Sequence, residues 1–229
     1  MGNFTSLSSL EQELVTCERC PRLTAYRQEV AAIKRRAYRD QVYWGKPVPG
    51  WGDPGARTLV VGLAPGAHGA NRTGRMFTGD GSGDFLFAAF HRAGFASQTV
   101  SHDPDDGLQI CDVYLSNVVR CAPPQNKPLP NEISACLGYL SAEIQLLPNL
   151  KVILALGKIA FDALLTLLIQ WGYPIKTPRP HFAHNQSLAL GSLSVISAYH
   201  PSRRNTQTGR LTAEMMDDVL RTCRKFLEN

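Results

Sequence analysis

Four of the six cysteines are spaced as metal ligands often are. Cys17 and Cys20 are separated by two residues, and Cys121 and Cys136 follow far downstream. A Cys-x-x-Cys pair is typical of zinc sites, iron–sulfur clusters and thiol redox motifs. The second pair lacks the two-residue spacing that is usual in zinc ribbons. The spacing alone therefore supports zinc and an iron–sulfur cluster about equally.

A second group of chemically capable residues begins at His200. A histidine can donate a hydrogen bond to a developing anion at neutral pH. The loop after it combines small polar groups with arginines, in the order Ser202, Arg203, Arg204, Asn205, Thr206, Gln207, Thr208, Gly209 and Arg210. This composition suits phosphates and DNA grooves. His200 could also be a structural cap at a strand end, but the arginines beside it favour the functional interpretation.

A third group is the glycine-rich segment 62–83, which contains seven glycines. It has neither a Walker loop nor a dinucleotide-binding fingerprint. Glycines let the backbone approach a flat or anionic ligand closely. Phe77 lies inside this polar segment, where an aromatic ring is either a core residue or a stacking platform for a base. The sequence supports both interpretations equally.

The elements that must position these residues alternate along the chain. Short apolar strands are predicted over 58–63, 110–119, 151–156 and 192–199, and helices over 84–93, 131–147, 158–171 and 212–227. This alternation predicts an α/β fold, a three-layer α/β/α arrangement with a central four-stranded, mostly parallel sheet. The three unusual loops follow strands, so we expect them to meet at the carboxyl edge of the sheet, where such folds bind ligands. Cys111 and Cys223 fall inside a strand and a helix, where we expect buried packing residues.

The N-terminal part is predicted to be helical. Residues 21–39 carry apolar positions on one side and a basic cluster, Lys34, Arg35, Arg36 and Arg39, on the other. For this cluster we favour a solvated face over a DNA contact. The proline- and glycine-rich segment 45–55 separates this part from the strands. We expect one domain over 1–229, with residues 1–55 as its N-terminal helical segment.

Composition excludes several classes of protein. The chain has 229 residues, of which 44% are hydrophobic and 19% charged, which argues against a disordered polyelectrolyte. No apolar stretch is long enough to span a bilayer, and no secretory signal is visible. Residues 1–6 fit the loose myristoylation pattern, but we interpret them as an untethered leader. We expect a cytoplasmic monomer with no membrane partner, and the formal charge of +5 is compatible with a nucleic-acid partner.

Taken together, these segments resemble family 5 of the uracil-DNA glycosylase superfamily. With the first cysteine pair they span residues 17–210. The matching pieces are Gly62-Leu63-Ala64-Pro65-Gly66, Asn71-Arg72-Thr73-Gly74-Arg75, Phe77-Thr78-Gly79-Asp80, Val118-Val119-Arg120-Cys121-Ala122-Pro123-Pro124, Asn126-Lys127-Pro128 and the loop from His200 to Arg210. The combination is specific, although each piece alone is not.

The resemblance implies a monofunctional DNA glycosylase. Such an enzyme flips a deaminated base out of duplex DNA and hydrolyses its N-glycosidic bond, which initiates base excision repair. Phe77 would stack on the flipped base and His200 would hydrogen-bond its carbonyl oxygen. The backbone at Leu63 and Ala64 would help to hold it. The resemblance also implies a structural [4Fe–4S] cluster, with the ligands Cys17, Cys20, Cys121 and Cys136.

One departure from the superfamily pattern bears on the mechanism. Relatives usually carry a polar residue just after the glycine that ends the first strand, where this chain has Leu63 and Ala64. We therefore expect the bond to break dissociatively, with the DNA phosphates stabilising the cationic sugar. Asp80 and Asn126 become the candidates for orienting water or base, although Asp80 could equally cap the following helix. Asn117 lies near the position of the base-reading asparagine of relatives, with a packed strand residue as the alternative.

A pocket with little side-chain readout should accept hypoxanthine and xanthine as well as uracil in double-stranded DNA. The residues predicted to contact that DNA are Arg75, Ser202, Arg203, Arg204, Asn205, Gln207 and Arg210. We expect Arg203, Arg204 or Gln207 to lead a wedge into the duplex. The main alternative is a non-catalytic iron–sulfur module that binds damaged DNA, and a second is a zinc-bound nucleotide hydrolase.

Overall fold

A six-stranded sheet with helices on both faces is the frame of the molecule. The structure, a computed structural model, describes residues 4–228, so the first three residues of the predicted leader, which covers residues 1–6, lie outside the described residues. The strands are β1 (Trp51–Gly52), β2 (Thr58–Gly62), β3 (Val113–Asn117), β4 (Val152–Leu156), β5 (Gln186–Leu190) and β6 (Leu193–Ala198). The helices are α1 (Leu7–Leu14), α2 (Pro21–Ile33), α3 (Ala70–Thr73), α4 (Gly81–Arg92), α5 (Pro130–Leu146), α6 (Lys158–Gln170), α7 (Arg203–Gln207) and α8 (Ala213–Glu228).

The four predicted strands form the parallel centre of this sheet. β2 pairs with β3 on one side and β4 on the other, and β4 pairs with β6. All their residues are buried, because helices cover both faces of the sheet. Side chains alternate between the two faces: Leu59 and Val61 pack in the core that includes α5 and α6, whereas Val60 packs in the core that includes α4 and α8. The three-layer α/β/α prediction is confirmed.

The predicted number of strands is too low, because both edges of the sheet carry an antiparallel strand. The order is β1-β3-β2-β4-β6-β5. β1 pairs with β3 through two residues only, inside the segment whose prolines and glycines indicated a linker. β5 forms a hairpin with β6 and leaves one of its sides partly exposed. Neither edge strand has the continuous apolar run that predicted the central ones.

The second helix is shorter than predicted. α2 ends at Ile33 rather than at residue 39, because Lys34 has a positive φ of 58° that leaves the helical path. A 3₁₀ turn follows over Arg36–Tyr38. The basic cluster is therefore not one face of a continuous helix.

A buried ion pair joins the end of β3 to α5. The Arg120 guanidinium donates to both carboxylate oxygens of Glu143, at 2.9 Å for the Nη1–Oε1 pair, and Ser116 Oγ donates to the same carboxylate at 2.6 Å. Both charged side chains are almost completely buried, so each compensates a charge that would be costly alone. The pair fixes the loop that carries Cys121 against the helix that carries Cys136.

The N-terminal helices pack onto the rest of the chain: α1 contacts α5, and α2 contacts α3. Within residues 4–228 we find no helix with both the length and the apolar character needed to cross a bilayer. The single domain, the monomeric state and the cytoplasmic location stay predictions.

Candidate active site

A cleft of about 540 Å³ opens at the carboxyl edge of the sheet, where β2, β3 and β6 end. This is the position predicted from the three unusual loops. Its volume lies within the range of roughly 300–1,000 Å³ that is usual for small-molecule sites. All the predicted catalytic and base-binding residues line it, namely Leu63, Ala64, Phe77, Asp80, Asn117, Asn126 and His200. The structure thus brings together residues that are as much as 137 positions apart in sequence (63 to 200).

An aromatic ring and an amide pack together over Gly62. A Cβ atom at this position would lie 2.7 Å from Cζ of Phe77 and 2.3 Å from Oδ1 of Asn117, so a glycine is needed for both side chains to come this close. Asn117 Nδ2 also donates to the sulfur of Met76 at 2.7 Å. Phe77 has a φ of 56° and is largely buried. It is therefore both a core residue and a part of the cleft lining, so the two interpretations of its role are not exclusive.

His200 lies two residues beyond β6 and lines the cleft. Its backbone is held by Asn205, whose Nδ2 donates to the His200 carbonyl oxygen at 2.8 Å. Burial lowers the pKa of His200, and the nearby Asp80 carboxylate opposes this shift. The imidazole is therefore neutral at pH 7, with one ring N–H that can donate to an anion.

The two carboxylate oxygens of Asp80 have different surroundings. Oδ1 accepts hydrogen bonds from the backbone N–H groups of Ser82 at 2.9 Å and Gly83 at 3.2 Å, so Asp80 is the N-cap of α4. Oδ2 packs against the glycine loop, where a Cβ would lie 2.8 Å away at Gly66 and 2.0 Å away at Gly69. The capping role is confirmed, and the second oxygen lies beside the loop that lines the cleft.

Asn126 reaches the cleft from a tight 3₁₀ turn, Pro124–Asn126, after β3. Gln125 and Asn126 have φ values of 55° and 57°, and asparagine tolerates this left-handed region better than most residues. The residue is exposed. The Asn126 side chain therefore lies where the cleft opens to solvent and can contact a water or a base inside it.

The short helix α7 carries the predicted DNA-contacting residues to the rim of the cleft. Ser202 caps it by accepting from the Asn205 N–H at 3.4 Å. Ser202 and Arg203 line the cleft itself. Arg204, Asn205 and Arg210 line a neighbouring cavity of about 570 Å³ that shares His200 with the cleft. Gln207 is exposed at the last position of the helix.

Arg75 is placed inside the protein, which corrects its assignment to DNA contact. The side chain is 8% exposed. Its guanidinium donates to Thr78 Oγ1 at 3.0 Å, the Pro104 carbonyl oxygen at 3.0 Å, Ser101 Oγ at 2.8 Å and Asp106 Oδ2 at 2.7 Å. Four of its five guanidinium N–H groups are thus engaged inside the protein, so the buried Arg75 is not positioned to contact a phosphate. It stabilises the segment between the glycine loop and β3.

The four predicted metal ligands line one small cavity. Cys17 and Cys20 lie between α1 and α2, Cys121 follows β3, and Cys136 belongs to α5. An all-thiol donor set is the one that structural zinc and iron–sulfur clusters use. No group of three or more histidine, cysteine or acidic residues within positions 4–228 is arranged to hold a metal ion as it stands.

The two other cysteines lie away from this cavity. Cys223 is buried in α8, as predicted, but Cys111 is exposed, which corrects the expectation that both are packing residues. Cys111 lies just before β3 rather than within it, because the strand begins at Val113 and not at residue 110.

Two buried arginines lie beside the cysteine cavity. The Arg120 N–H donates to the Cys136 sulfur at 3.3 Å, and Arg27 donates to the Cys17 carbonyl oxygen at 3.5 Å. The Nε of each arginine has no hydrogen-bond partner within the described residues. Burial raises the pKa of Cys121 to about 12 and that of Cys136 to about 11, with Arg27 and Arg120 respectively opposing the rise. As free thiols both stay protonated at pH 7, whereas a metal would deprotonate them.

Comparison with known proteins decides the family. The model of the uracil DNA glycosylase superfamily matches residues 49–224. The chain belongs to this superfamily. It is similar to a type-5 uracil-DNA glycosylase of Mycobacterium bovis, at 48% identity over 98% of this chain and 83% of the relative. It is also similar to type-5 uracil-DNA glycosylases of Thermus thermophilus, at 48% identity over 94% and 95%, and of Pyrobaculum aerophilum, at 43% over 91% and 88%.

This type-5 family member has further cleft residues that the sequence did not indicate. Arg35, Tyr38 and His68 line the cleft, and the Tyr43 hydroxyl hydrogen-bonds to His68 Nδ1 at 3.0 Å. Burial, together with the charges of Arg35 and Arg72, lowers the pKa of His68. Arg35 is exposed, as expected for a solvated face, and the chain reversal before the 3₁₀ turn also places it at the cleft. His68 had one available signal, its position in the glycine-rich segment, whereas Tyr43 had none.

Proposed function

We propose that this chain is a monofunctional DNA glycosylase that removes uracil from DNA and leaves an abasic site. The observation that carries the proposal is the cleft itself, where an aromatic ring, an amide and a neutral imidazole line one cavity that is large enough to admit a nucleobase. The printed names of the relatives, type-5 uracil-DNA glycosylases, support the same activity. A lyase step is not part of the proposal, since none of the described residues that line the cleft is a lysine.

The mechanism assigns one task to each group in the cleft. Phe77 stacks on the extruded base, and Asn117 contacts its edge. As the C1′–N bond breaks, its electrons pass to the base, and the His200 N–H donates to the carbonyl oxygen on which negative charge develops. Stabilisation of a developing charge by a preplaced donor is worth roughly 10²- to 10³-fold in rate. Water then adds to the cationic sugar and releases a proton to solvent.

The side chains after β2 cannot activate that water. Leu63 and Ala64 are partly exposed to the cleft but carry no polar atom. We therefore propose a dissociative reaction in which the DNA phosphates stabilise the cationic sugar. Asp80 Oδ2 and the Asn126 amide are the groups assigned to orient the water. Because this pocket has few base-specific side chains, the proposed substrates include hypoxanthine and xanthine in duplex DNA.

Double-stranded DNA is the proposed partner. Ser202 and Arg203 at the cleft, with Arg204, Asn205 and Arg210 beside it, would contact the strand that carries the flipped base. Extrusion is least costly for a mispaired base such as uracil opposite guanine. We propose that the protein acts as a cytoplasmic monomer, as expected from its composition.

The four cysteines are proposed to hold a structural [4Fe–4S] cluster. The all-thiol donor set fits it, and the orphaned Nε of the buried Arg27, for which no carboxylate partner is found within the described residues, indicates that an anion belongs in its surroundings. When bound, the cluster would supply cross-linking rather than redox chemistry. Cys17 and Cys20 would tie the N-terminal segment to the loop at Cys121 and to α5.

A glycosylase assay on duplexes that contain uracil, hypoxanthine or xanthine tests the proposal. We expect alkali-labile sites from the wild type, and a loss of about 100-fold or more with His200→Ala because the donor to the leaving base is removed. Binding of these duplexes without any base release would favour the non-catalytic alternative. Release of uracil alone would contradict the broad substrate range, and a colourless, zinc-loaded protein would contradict the cluster.

A further inference from the structure

Arg27 is a buried cation for which the described part of the chain offers no anionic partner. Its side chain is 3% exposed. Its guanidinium donates only to backbone carbonyl oxygens, at 2.5 Å to Gly45 and at 3.5 Å to Cys17, and its Nε has no partner within residues 4–228. A buried charge normally has an ion pair or another charged group beside it, because desolvation is otherwise uncompensated.

Each of the other buried arginines in the described part of the chain has either a carboxylate partner or an acceptor for every guanidinium nitrogen. Arg75 and Arg120 pair with the carboxylates of Asp106 and Glu143. Arg72 has an acceptor on each guanidinium nitrogen and lies over the ring of Tyr38. Arg27 therefore differs from them in lacking both a carboxylate and a complete set of acceptors.

The cysteine cavity is where an anion would meet this charge. Arg27 donates to the backbone carbonyl oxygen of Cys17, which lines that cavity. Four thiolates around an iron–sulfur cluster, or around one zinc ion, carry a net negative charge in either case. We propose that Arg27 is the counter-ion of the metal–thiolate site, a positioning residue that retains the metal by compensating its charge. This inference rests on the proposed metal but not on which metal it is.

The same residue also joins the cysteine site to the base cleft. Asn71 Nδ2 donates to the Arg27 carbonyl oxygen at 3.2 Å, and the Asn71 N–H donates to the Gly66 carbonyl oxygen at 3.0 Å. Gly45, whose carbonyl oxygen accepts from Arg27, donates its own N–H to Asn71 at 3.0 Å. Gly66 lines the cleft. A metal that holds Arg27 in place therefore steadies the loop beside the proposed base site.

The test compares metal retention in four full-length proteins purified without oxygen: wild type, Arg27→Gln, Arg27→Lys and Arg75→Gln. Iron, sulfide and zinc per chain are measured first, and the rate of metal release to a chelator in air second. We expect Arg27→Gln to release its metal at least about 10-fold faster, the effect usual for partners of metal ligands. Arg27→Lys should stay within about twofold of wild type, because lysine also carries a positive charge at pH 7.

Arg75→Gln is the matched control, since Arg75 is a similarly buried arginine whose hydrogen-bond partners do not include a cysteine. Its fold should be weakened but its metal release unchanged. Equal release rates for Arg27→Gln and wild type would overturn the inference, as would an Arg27→Lys protein that loses metal as fast as Arg27→Gln. If Arg27→Gln does not fold, 10-fold faster release from Arg27→Lys overturns it, and wild-type release from Arg27→Lys supports it. Zinc in place of iron would refute only the cluster, whereas a wild type without metal would refute both.

Discussion

At the scale of single residues, Asp80 shows how one carboxylate can serve structure and chemistry together. Oδ1 takes both hydrogen bonds of the α4 cap, while Oδ2 packs against the glycine loop beside the cleft. Helix capping and water orientation therefore do not compete for the same atom. The two roles can be separated by comparing a substitution that removes only the negative charge with one that also removes the capping oxygen.

Asp80→Asn keeps a good N-cap but removes the negative charge, so we expect little change in melting temperature. If the carboxylate orients water, excision should fall by about 100-fold, the lower end of what positioned proton-transfer groups contribute. Asp80→Ala should show the same loss of rate and also lose about 1 kcal/mol of stability with the cap. Thermal melts and single-turnover excision measure the two effects. A wild-type rate for Asp80→Asn would leave Asp80 as a cap only.

Gly62 is the residue on which the arrangement of Phe77 and Asn117 depends. In Gly62→Ala the new Cβ would displace the ring and the amide, since it would lie 2.7 Å and 2.3 Å from them. We expect a cost of about 1–3 kcal/mol from overpacking and a larger proportional loss of excision. Chemical denaturation and the glycosylase assay measure both. Gly55→Ala is the control, because its nearest neighbour would lie at 3.4 Å, and an equal loss of activity there would refute the explanation.

At the scale of elements, α7 is the unit that presents cations to DNA. The Ser202 cap and the bond from Asn205 to the His200 carbonyl hold this five-residue helix next to the proposed leaving-group donor. Arg203 and Arg204 are both exposed on it. A displacement of α7 would therefore move the DNA contacts and His200 together.

Replacement of Arg203 and Arg204 by glutamine should weaken duplex binding and make it less dependent on salt. Each lost phosphate contact lowers the slope of log K against log salt by about 1. Binding titrations at several salt concentrations give this slope. Arg57→Gln is a suitable control, because Arg57 directly precedes β2. It therefore lies at the amino ends of the parallel strands, away from the cleft, where it pairs with Asp112. An unchanged slope in the double variant would refute α7 as the DNA contact.

At the scale of the whole molecule, three histidines predict loss of stability in mild acid. Burial lowers the pKa of His68, His184 and His200 below 6.5 in the folded state. Below pH 6.5 the unfolded chain therefore binds more protons than the folded chain, and the free energy of unfolding falls as the pH drops toward the folded pKa values. The carboxylates act at lower pH: partners lower the pKa of Asp106 and Glu132 against the effect of burial, so their contribution is lost only below about pH 4.5.

Urea unfolding at pH 7.5, 6.5 and 5.5 tests this expectation. The wild type should lose stability over this range, and His200→Gln should lose less, because one of the three neutral histidines is gone. A His200→Gln protein with the same pH dependence as the wild type would contradict the role of that imidazole. His91→Gln provides the comparison for a histidine outside this set.

The sequence alone determined the parts of this protein that depend on local pattern. The four central strands followed from apolar runs, and the position of the cleft followed from three unusual loops after strands, because parallel strands end at one edge. The Cys-x-x-Cys pair indicated a metal or redox site, the family resemblance implied the four ligands Cys17, Cys20, Cys121 and Cys136, and these residues line one cavity.

Only the tertiary structure decided which polar residues face inward and with whom they pair. Arg75 lies in a motif that predicts DNA contact, yet it is buried against Asp106, whereas Arg35 belongs to a cluster expected to be solvated and is exposed at the cleft. The sequence pattern also did not predict the two edge strands or the unpaired charge of Arg27. The physical reason is that an arginine has the same local propensity in both settings, and its burial is set by acceptors and anions that the fold brings from distant parts of the chain.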